Sequence, residues 1–195
     1  ADRLVSGDSP VTPPVSYGWD EAGNRTSVDG VGFTFDSRNR LLSSTDGVSN
    51  VYNSRGDLTL ATTSAGATAY VFDPLGRLVS SAGSTISYDG LDRVTTIGGQ
   101  SLAYSGAGAD PVAVAGWSLG RDPTGTLLSV GDQSTVSLVI PDRHGDASLM
   151  IDPLAMTVNG SRVFDPFGEV AASAWPSIPV GFQSDVTDTA PGDVW

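Results

Sequence analysis

Short runs of alternating apolar and polar residues recur along the chain, and each run is bounded by residues that favour turns. Thr68–Phe72 and Arg77–Ser80 mix β-branched, aromatic and small polar side chains, which is typical of half-buried β-strands. Between successive runs, two kinds of turn signal alternate. Two turns in each period leave two strands of about five or six residues. The pattern therefore predicts a long antiparallel meander of β-hairpins.

One turn motif is repeated from end to end: a strand residue that is often aromatic, Asp or Asn, two variable residues, Gly or another residue tolerant of positive φ, and often Arg and an aliphatic residue. The Asp or Asn of its copies stands at positions 20, 36, 53, 73, 89, 122, 142 and 165, and a degenerate copy has Ser at position 105. Asp or Asn caps the first position of a type I turn, Pro fits the second and Gly the fourth. The predicted structural turn residues are Asp20, Gly23, Asp36, Asn53, Gly56, Asp73, Pro74, Gly76, Asp89, Asp122, Gly125, Asp142, Gly145, Asp165, Pro166 and Gly168.

Each copy of this motif is expected to form the tip of a hairpin. A second, shorter turn signal lies between successive tips. It is seen in the pairs Asp29-Gly30, Asp46-Gly47, Ala65-Gly66, Ala82-Gly83 and Gly98-Gly99. Each pair is expected to join the second strand of one hairpin to the first strand of the next. A ribbon of so many strands cannot stay flat, because strand twist makes it curl, split or close.

Composition removes several classes of function. The ten basic residues are all Arg, and 22 acids give a net charge of -12, so the clustered cations of a nucleic-acid binder are missing. The scarcity of Glu, Lys and Gln disfavours a helical protein. With no Cys, no disulfide, thiolate metal site or cysteine nucleophile can be proposed. No run is long enough for a membrane helix, and the start at Ala1, without an initiating Met, suggests an excised or processed piece.

The repeated motif, clearest at Phe72–Leu78 and Tyr88–Val94, resembles the tyrosine-aspartate (YD) repeat of bacterial Rhs proteins, toxin-complex C components and teneurins. Trp19–Arg25 is similar to a variant of the repeat. Asp142–Asp146, Phe164–Glu169 and Gly181–Gln183 resemble segments near the end of the Rhs core. The resemblance covers nearly the whole chain.

What the resemblance implies is an all-β fold of stacked antiparallel hairpins that forms part of a curled, cocoon-like shell. Its partners would be the remaining shell, an enclosed C-terminal toxin or effector and a delivery system, and its location the cell surface or the exterior. It implies no cofactor and no catalytic residue here, because the family's self-cleaving motif would lie downstream. The expected organisation is a leading strand and Pro-rich connection over 1–16, the hairpin array over 17–170, and an irregular Pro-containing segment with the start of the terminal Rhs-core segment over 171–195. The apolar Trp175 and Ile178 of that last segment are expected to plug or line the structure.

Two catalytic or ligand-binding interpretations of the same residues are less favoured. Asp142, His144 and Asp146 alternate as ligands of a metal on one strand face would, but they occupy a tip position, so the turn is favoured. The lone His and the absence of a Gly-x-Ser-x-Gly elbow disfavour a serine hydrolase.

Two sets of repeated side chains are assigned structural roles. The arginines after the tips, Arg25, Arg40, Arg77 and Arg93, are expected to pair with tip aspartates of neighbouring hairpins. The aromatic residues before the tips are expected to stack on one sheet face; they are Trp19, Phe35, Tyr52, Phe72, Tyr88 and Phe164. A cell-surface adhesion or carbohydrate-binding module, in which these rings form a sugar-binding stripe, remains the alternative function.

Overall fold

The computed structural model describes residues 3–9, 12–181, 183 and 186. In that part of the chain the regular structure consists of β-strands, without an α-helix. The strands are β1 Ser6–Ser9, β2 Thr12–Trp19, β3 Arg25–Val28, β4 Val31–Phe35, β5 Leu41–Ser44, β6 Ser49–Tyr52, β7 Leu58–Thr63, β8 Gly66–Phe72, β9 Leu78–Ser81, β10 Ser84–Tyr88, β11 Val94–Ile97, β12 Gln100–Tyr104, β13 Pro111–Val114, β14 Trp117–Arg121, β15 Leu127–Gly131, β16 Val136–Pro141, β17 Ala147–Asp152, β18 Thr157–Phe164 and β19 Val170–Ser173.

These elements form a 19-stranded sheet in which strands that follow each other in the chain pair antiparallel, as in β6 with β7 and β16 with β17. The predicted all-β fold of successive antiparallel hairpins is confirmed. By its internal contacts the chain divides into two compact units, Ala1–Ile86 and Ser87–Trp195. The boundaries expected near residues 16 and 170 stay predictions.

Two kinds of turn recur along the sheet; the turn at Asp46-Gly47, expected to be of the shorter kind, has the hydrogen bonds of the longer one. The longer kind carries the Asp motif and is described below. The shorter kind is a two-residue connection, as between Val28 and Val31, which lie opposite each other. There Asp29 has φ 45° and Gly30 has φ 84°, the two left-handed residues that a type I′ turn requires. Ala82-Gly83 and Gly98-Gly99 have the same signs of φ.

The first unit buries few side chains. Tyr17, Leu78 and Ile86 are its buried hydrophobic residues among those described, and Val51 and Val71 remain about half exposed. Strands such as β8 alternate exposed and half-buried positions. The hydrogen-bonded ladder and the tips therefore carry a larger share of the structure here than a deep core does.

The second unit has a continuous hydrophobic core on one face of its strands. In β16, Ser137 and Val139 are buried, whereas Val136, Leu138 and Ile140 on the other face are exposed. Core residues of the strands are Val114, Leu119, Leu127, Val130, Val139, Ala147 and Met150. Burial that alternates with period two is the expected result of one face packing and one face remaining open.

The segment after β19 packs on this buried face. Ile178 and Val180 are 4% and 0% exposed and belong to the core cluster, with Trp175 packed against it. The backbone N–H of Ala147 donates to the Gly181 carbonyl oxygen over 3.1 Å. The segment therefore leaves the ladder and covers the apolar face that the strands present.

Candidate functional site

The repeated tips share one backbone geometry. At the Asp36 tip, the N–H of Asp36 donates to the Arg40 carbonyl and the N–H of Asn39 donates to the Asp36 carbonyl, both over 3.0 Å. This is a type I turn followed by a left-handed residue, and Asn39 has φ 60°. The same pair of bonds closes the tips that begin at Asp20, Asp36, Asn53, Asp73, Asp89, Asp122, Asp142 and Asp165. The left-handed position holds Gly23, Asn39, Gly56, Gly76, Asp92, Gly125, Gly145 and Gly168.

The degenerate copy at Ser105 departs from this geometry. Tyr104 lies opposite Pro111, so the connection is longer than at the other tips. Ser105 has no carboxylate or amide, and Gly106 with φ 66° follows it directly. The loop therefore lacks the side chain that caps the other turns.

The Asp side chain is used inside its own turn. Asp73 Oδ1 accepts hydrogen bonds from the backbone N–H groups of Leu75 over 2.9 Å and Arg77 over 3.0 Å. Pro74 occupies the second turn position, where its fixed φ suits the turn. The same double acceptance is made by Asp36, Asn53, Asp89, Asp122, Asp142 and Asp165. At the Asp165 tip, Pro166 and Gly168 fill the second and fourth positions.

The arginine of the motif pairs with the aspartate of its own tip at Asp36, Asp73 and Asp89, which the sequence pattern did not indicate, and the expected pairing with neighbouring tips stays a prediction. Arg77 Nε and Nη2 both lie 2.7 Å from Asp73 Oδ2. Arg40 with Asp36 and Arg93 with Asp89 repeat this arrangement. The physical reason is the turn itself, because its left-handed residue brings the fifth residue back beside the first. Arg25 falls one position later, and its guanidinium lies 5.9 Å from the Tyr17 ring centroid.

Coupling between neighbouring hairpins runs through an arginine and a tyrosine, a contact that the sequence pattern did not predict. The Arg93 guanidinium carbon lies 4.4 Å from the ring centroid of Tyr104. The Tyr104 hydroxyl donates to the Val94 carbonyl over 2.8 Å. Arg40, Tyr52 and Leu41 repeat both contacts, at 4.6 Å and 2.8 Å. The signal was present in the sequence as an Arg-aliphatic pair followed, one hairpin later, by a Tyr before the next tip.

The turn also explains why the motif begins with an aromatic residue and ends with an aliphatic one. The left-handed residue creates a bulge. As a result, the residue just before the Asp lies opposite the residue five positions after the Asp. Phe72 thus faces Leu78, and Phe35 faces Leu41. These cross-strand pairs pack a ring against an aliphatic chain. The expected stacking of the rings on one another stays a prediction.

Hydrogen bonds within the tip favour the ionised form of Asp36, Asp73 and Asp89. The backbone N–H and the guanidinium of Arg40, in that order, lower the pKa of Asp36 to about 2. Hydrogen bonds from Arg77 and Arg93 likewise lower the pKa of Asp73 and of Asp89. A carboxylate that titrates well below neutral pH, and whose lone pairs accept N–H groups of its own turn, is poorly suited to general acid or base catalysis.

Asp142 and Asp146, two of the three candidate metal ligands with His144, accept hydrogen bonds from backbone N–H groups. Asp142 caps its own turn by accepting from the N–H groups of His144 and Asp146. Asp146, 3% exposed, lies 3.3 Å from His144 Nδ1 and accepts the backbone N–H of Gln183 over 2.7 Å. Over the described ranges, no group of three potential ligands is placed to hold a metal ion. Asp146 stands at the position where three other tips carry Arg, and its contact with Gln183 joins residues 37 apart in the chain.

No helix in the described part of the chain is long and apolar enough to cross a membrane. No protein-family model matches the sequence, and no curated protein matches it either. Solved structures that are similar to this chain include the crystal structure of TcdB2-TccC3-TEV and the Photorhabdus luminescens Tc holotoxin pore. The TM-score is 0.46 for both, at 14% and 12% identity; each match covers 90% of this chain and 11% of the longer one. The crystal structure of TcdB2-TccC3 without its hypervariable C-terminal region matches with a TM-score of 0.45, at 12% identity, over 89% and 11%.

Proposed function

We propose that this chain is a non-catalytic wall segment of a YD-repeat shell that encloses or presents a C-terminal toxin or effector. The observation that carries the proposal is the repetition of one capped tip along a continuous antiparallel ladder. Each copy matches the motif by which the sequence resembles Rhs proteins. Repetition of this kind suits a surface that must extend and curve, because each repeat contacts only its neighbouring repeats, so that further repeats can be added.

The absence of catalysis is proposed from what the repeated side chains do in the turn. In the tips at Asp36, Asp73 and Asp89, both carboxylate oxygens are engaged by N–H groups of the same turn. A reacting group would need a free lone pair or proton and a pKa nearer the working pH. The aspartates are therefore assigned to shaping the ribbon.

The mechanism would be steric. A wall of hydrogen-bonded strands, joined from hairpin to hairpin by arginine and tyrosine, would keep proteases and solvent from a cargo until the assembly opens. Its partners would be the rest of the shell, the cargo and a delivery system, with the assembly outside the cell or on its surface. No cofactor enters this mechanism.

The alternative of a sugar-binding stripe is less well supported by the contacts. One face of Tyr52 and one face of Tyr104 are each covered by a guanidinium group, and both hydroxyls donate to backbone carbonyls. Rings held in this way have one face and the hydroxyl already engaged, which leaves less of the ring for a pyranose. A glycan array with the isolated chain would test the point, since saturable binding would favour adhesion.

The decisive experiment is protease protection of the cargo in the parent protein. The intact parent and its separately expressed C-terminal region are digested in parallel, and the fragments are identified by mass. Containment predicts that the region survives within the parent and is degraded when free. A parent carrying Arg93→Gln and Tyr104→Leu, which loosens the wall, should lose protection faster, whereas Arg38→Gln, an exposed arginine, should not. Equal digestion of free and parent-borne cargo would refute containment.

A further inference from the structure

Arg162 differs from the arginines of the tips. It lies in β18, and its guanidinium carbon is 5.6 Å from the centroid of the Phe164 ring and 4.8 Å from the centroid of the Trp175 ring. Its Nη1 donates to the Val180 carbonyl over 3.1 Å. Burial lowers the pKa of Arg162, although an arginine stays protonated throughout the physiological range.

The guanidinium has no acidic partner in the described part of the chain. Arg40, Arg77 and Arg93 each lie 2.6–2.7 Å from a carboxylate oxygen, whereas no such pair forms at Arg162. The chain carries 22 acids and 10 arginines, so acids outnumber the arginines that could pair with them. A half-buried cation without a counter-charge is costly to hold in place.

Two hydrogen-bond donors at this point also lack acceptors. Arg162 Nε and Trp175 Nε1 are both buried, and neither has a hydrogen-bond partner among the described residues. Buried donors of this kind are rare in folded proteins, and each one calls for an unseen water, ion or ligand. Here the two belong to side chains that stack on each other.

We propose that Arg162 and Trp175 form a binding site for a carboxylate group. Nε and Nη2 lie along one edge of the planar guanidinium and present two parallel donors, which match the two oxygens of a carboxylate. The indole N–H, buried on a ring 4.8 Å from the guanidinium carbon, would supply a further donor, and burial of both donors would strengthen the ion pair. The Val180 carbonyl holds Nη1 and so fixes the orientation of the plane.

The site lies where the chain leaves the ladder after β19 and crosses onto the apolar face. A carboxylate bound here would tie an acidic side chain or chain end to the junction of strand and covering segment. This inference does not rest on the proposed containment function, because it concerns only donors, charge and burial.

Nuclear magnetic resonance with sodium acetate as the probe tests the site. In the ¹⁵N-labelled chain, the Arg162 Nε–H and Trp175 indole resonances are assigned with Arg162→Lys and Trp175→Phe. Acetate should shift both resonances saturably, with half-saturation at roughly millimolar concentration, and sodium chloride at equal ionic strength should not. Arg162→Gln should abolish the acetate shift of Trp175. Arg38→Gln, which removes the same charge from an exposed residue, should leave it unchanged.

A second arm identifies the source of the carboxylate. The titration is repeated on a chain with Asp185, Asp188 and Asp193 changed to Asn. If acetate shifts the resonances only in that variant, the natural ligand is an acid of the same chain; if it shifts them in both chains, the site is open to another molecule. The absence of a saturable, acetate-specific shift from both chains would overturn the proposal and leave water as the partner of the two donors.

Discussion

The coupling between neighbouring hairpins can be measured at Arg93 and Tyr104. Tyr104→Phe removes only the hydroxyl that donates to the Val94 carbonyl over 2.8 Å, and losing one such bond should lower the free energy of unfolding by about 0.5–1.5 kcal/mol. Tyr104→Leu also removes the ring face that lies 4.4 Å from the guanidinium carbon. It should therefore be the more destabilising substitution.

A double-mutant cycle isolates the contact between cation and ring. Arg93→Gln also breaks the ion pair with Asp89 and the bonds to the Gly106 and Gly108 carbonyls, but these losses cancel when the cycle is closed. The Arg93 side chain is only 16% exposed, which places the coupling above the range for open surfaces. We expect about 1–2 kcal/mol between Arg93→Gln and Tyr104→Leu.

Urea unfolding followed by circular dichroism supplies the free energies, with constant m-values as the condition for comparing variants. The control cycle combines Tyr104→Leu with Arg143→Gln, an exposed arginine of another tip that forms no ring contact with the described residues. Its coupling should fall within about 0.5 kcal/mol of zero. Additive effects of Arg93→Gln and Tyr104→Leu would refute the inferred link between hairpins.

Three further predictions address the core, the tips and the short turns. Leu127→Ala, at a side chain with 0% exposure, should cost about 2–5 kcal/mol in urea unfolding, whereas Leu154→Ala, at 95% exposure, should stay within about 0.5 kcal/mol of wild type. The pKa of Asp36 is lowered to about 2, so the contribution of its ionised carboxylate to folding stability is present above the ordinary value near 3.8 and is lost as the pH falls from there through 2. A ¹³C carboxyl titration with a midpoint at or above the ordinary value would contradict this. Ala82, with φ 49° before Gly83, should be improved by Ala82→Asn, raising stability by about 0.5–1 kcal/mol, and an unchanged or lower Tm would count against the type I′ assignment.

The turns follow from local chemistry that the sequence alone records. Asp73, Pro74 and Gly76 favour a type I turn with a left-handed residue through their own conformational preferences, and Asp29-Gly30 does the same for a type I′ turn. Because each of these preferences acts within five residues, the alternation of tips and short turns, and with it the antiparallel ladder, followed from the sequence. The bulge at the left-handed residue also explains why the motif starts with an aromatic residue and ends with an aliphatic one, because it places these two residues opposite each other.

Contacts over longer distances in the chain could be settled only by the tertiary structure. The sequence alone did not indicate that Arg77 pairs with Asp73 of its own tip, and the path of the chain through the turn brings the two together. Asp146 anchors Gln183, and Ile178 enters the core, because the segment after β19 turns onto the apolar face. Contacts of this kind depend on where segments far apart in the sequence lie in space. The conformational preferences of single residues do not determine that. The Arg162 guanidinium lies against the Trp175 ring for the same reason.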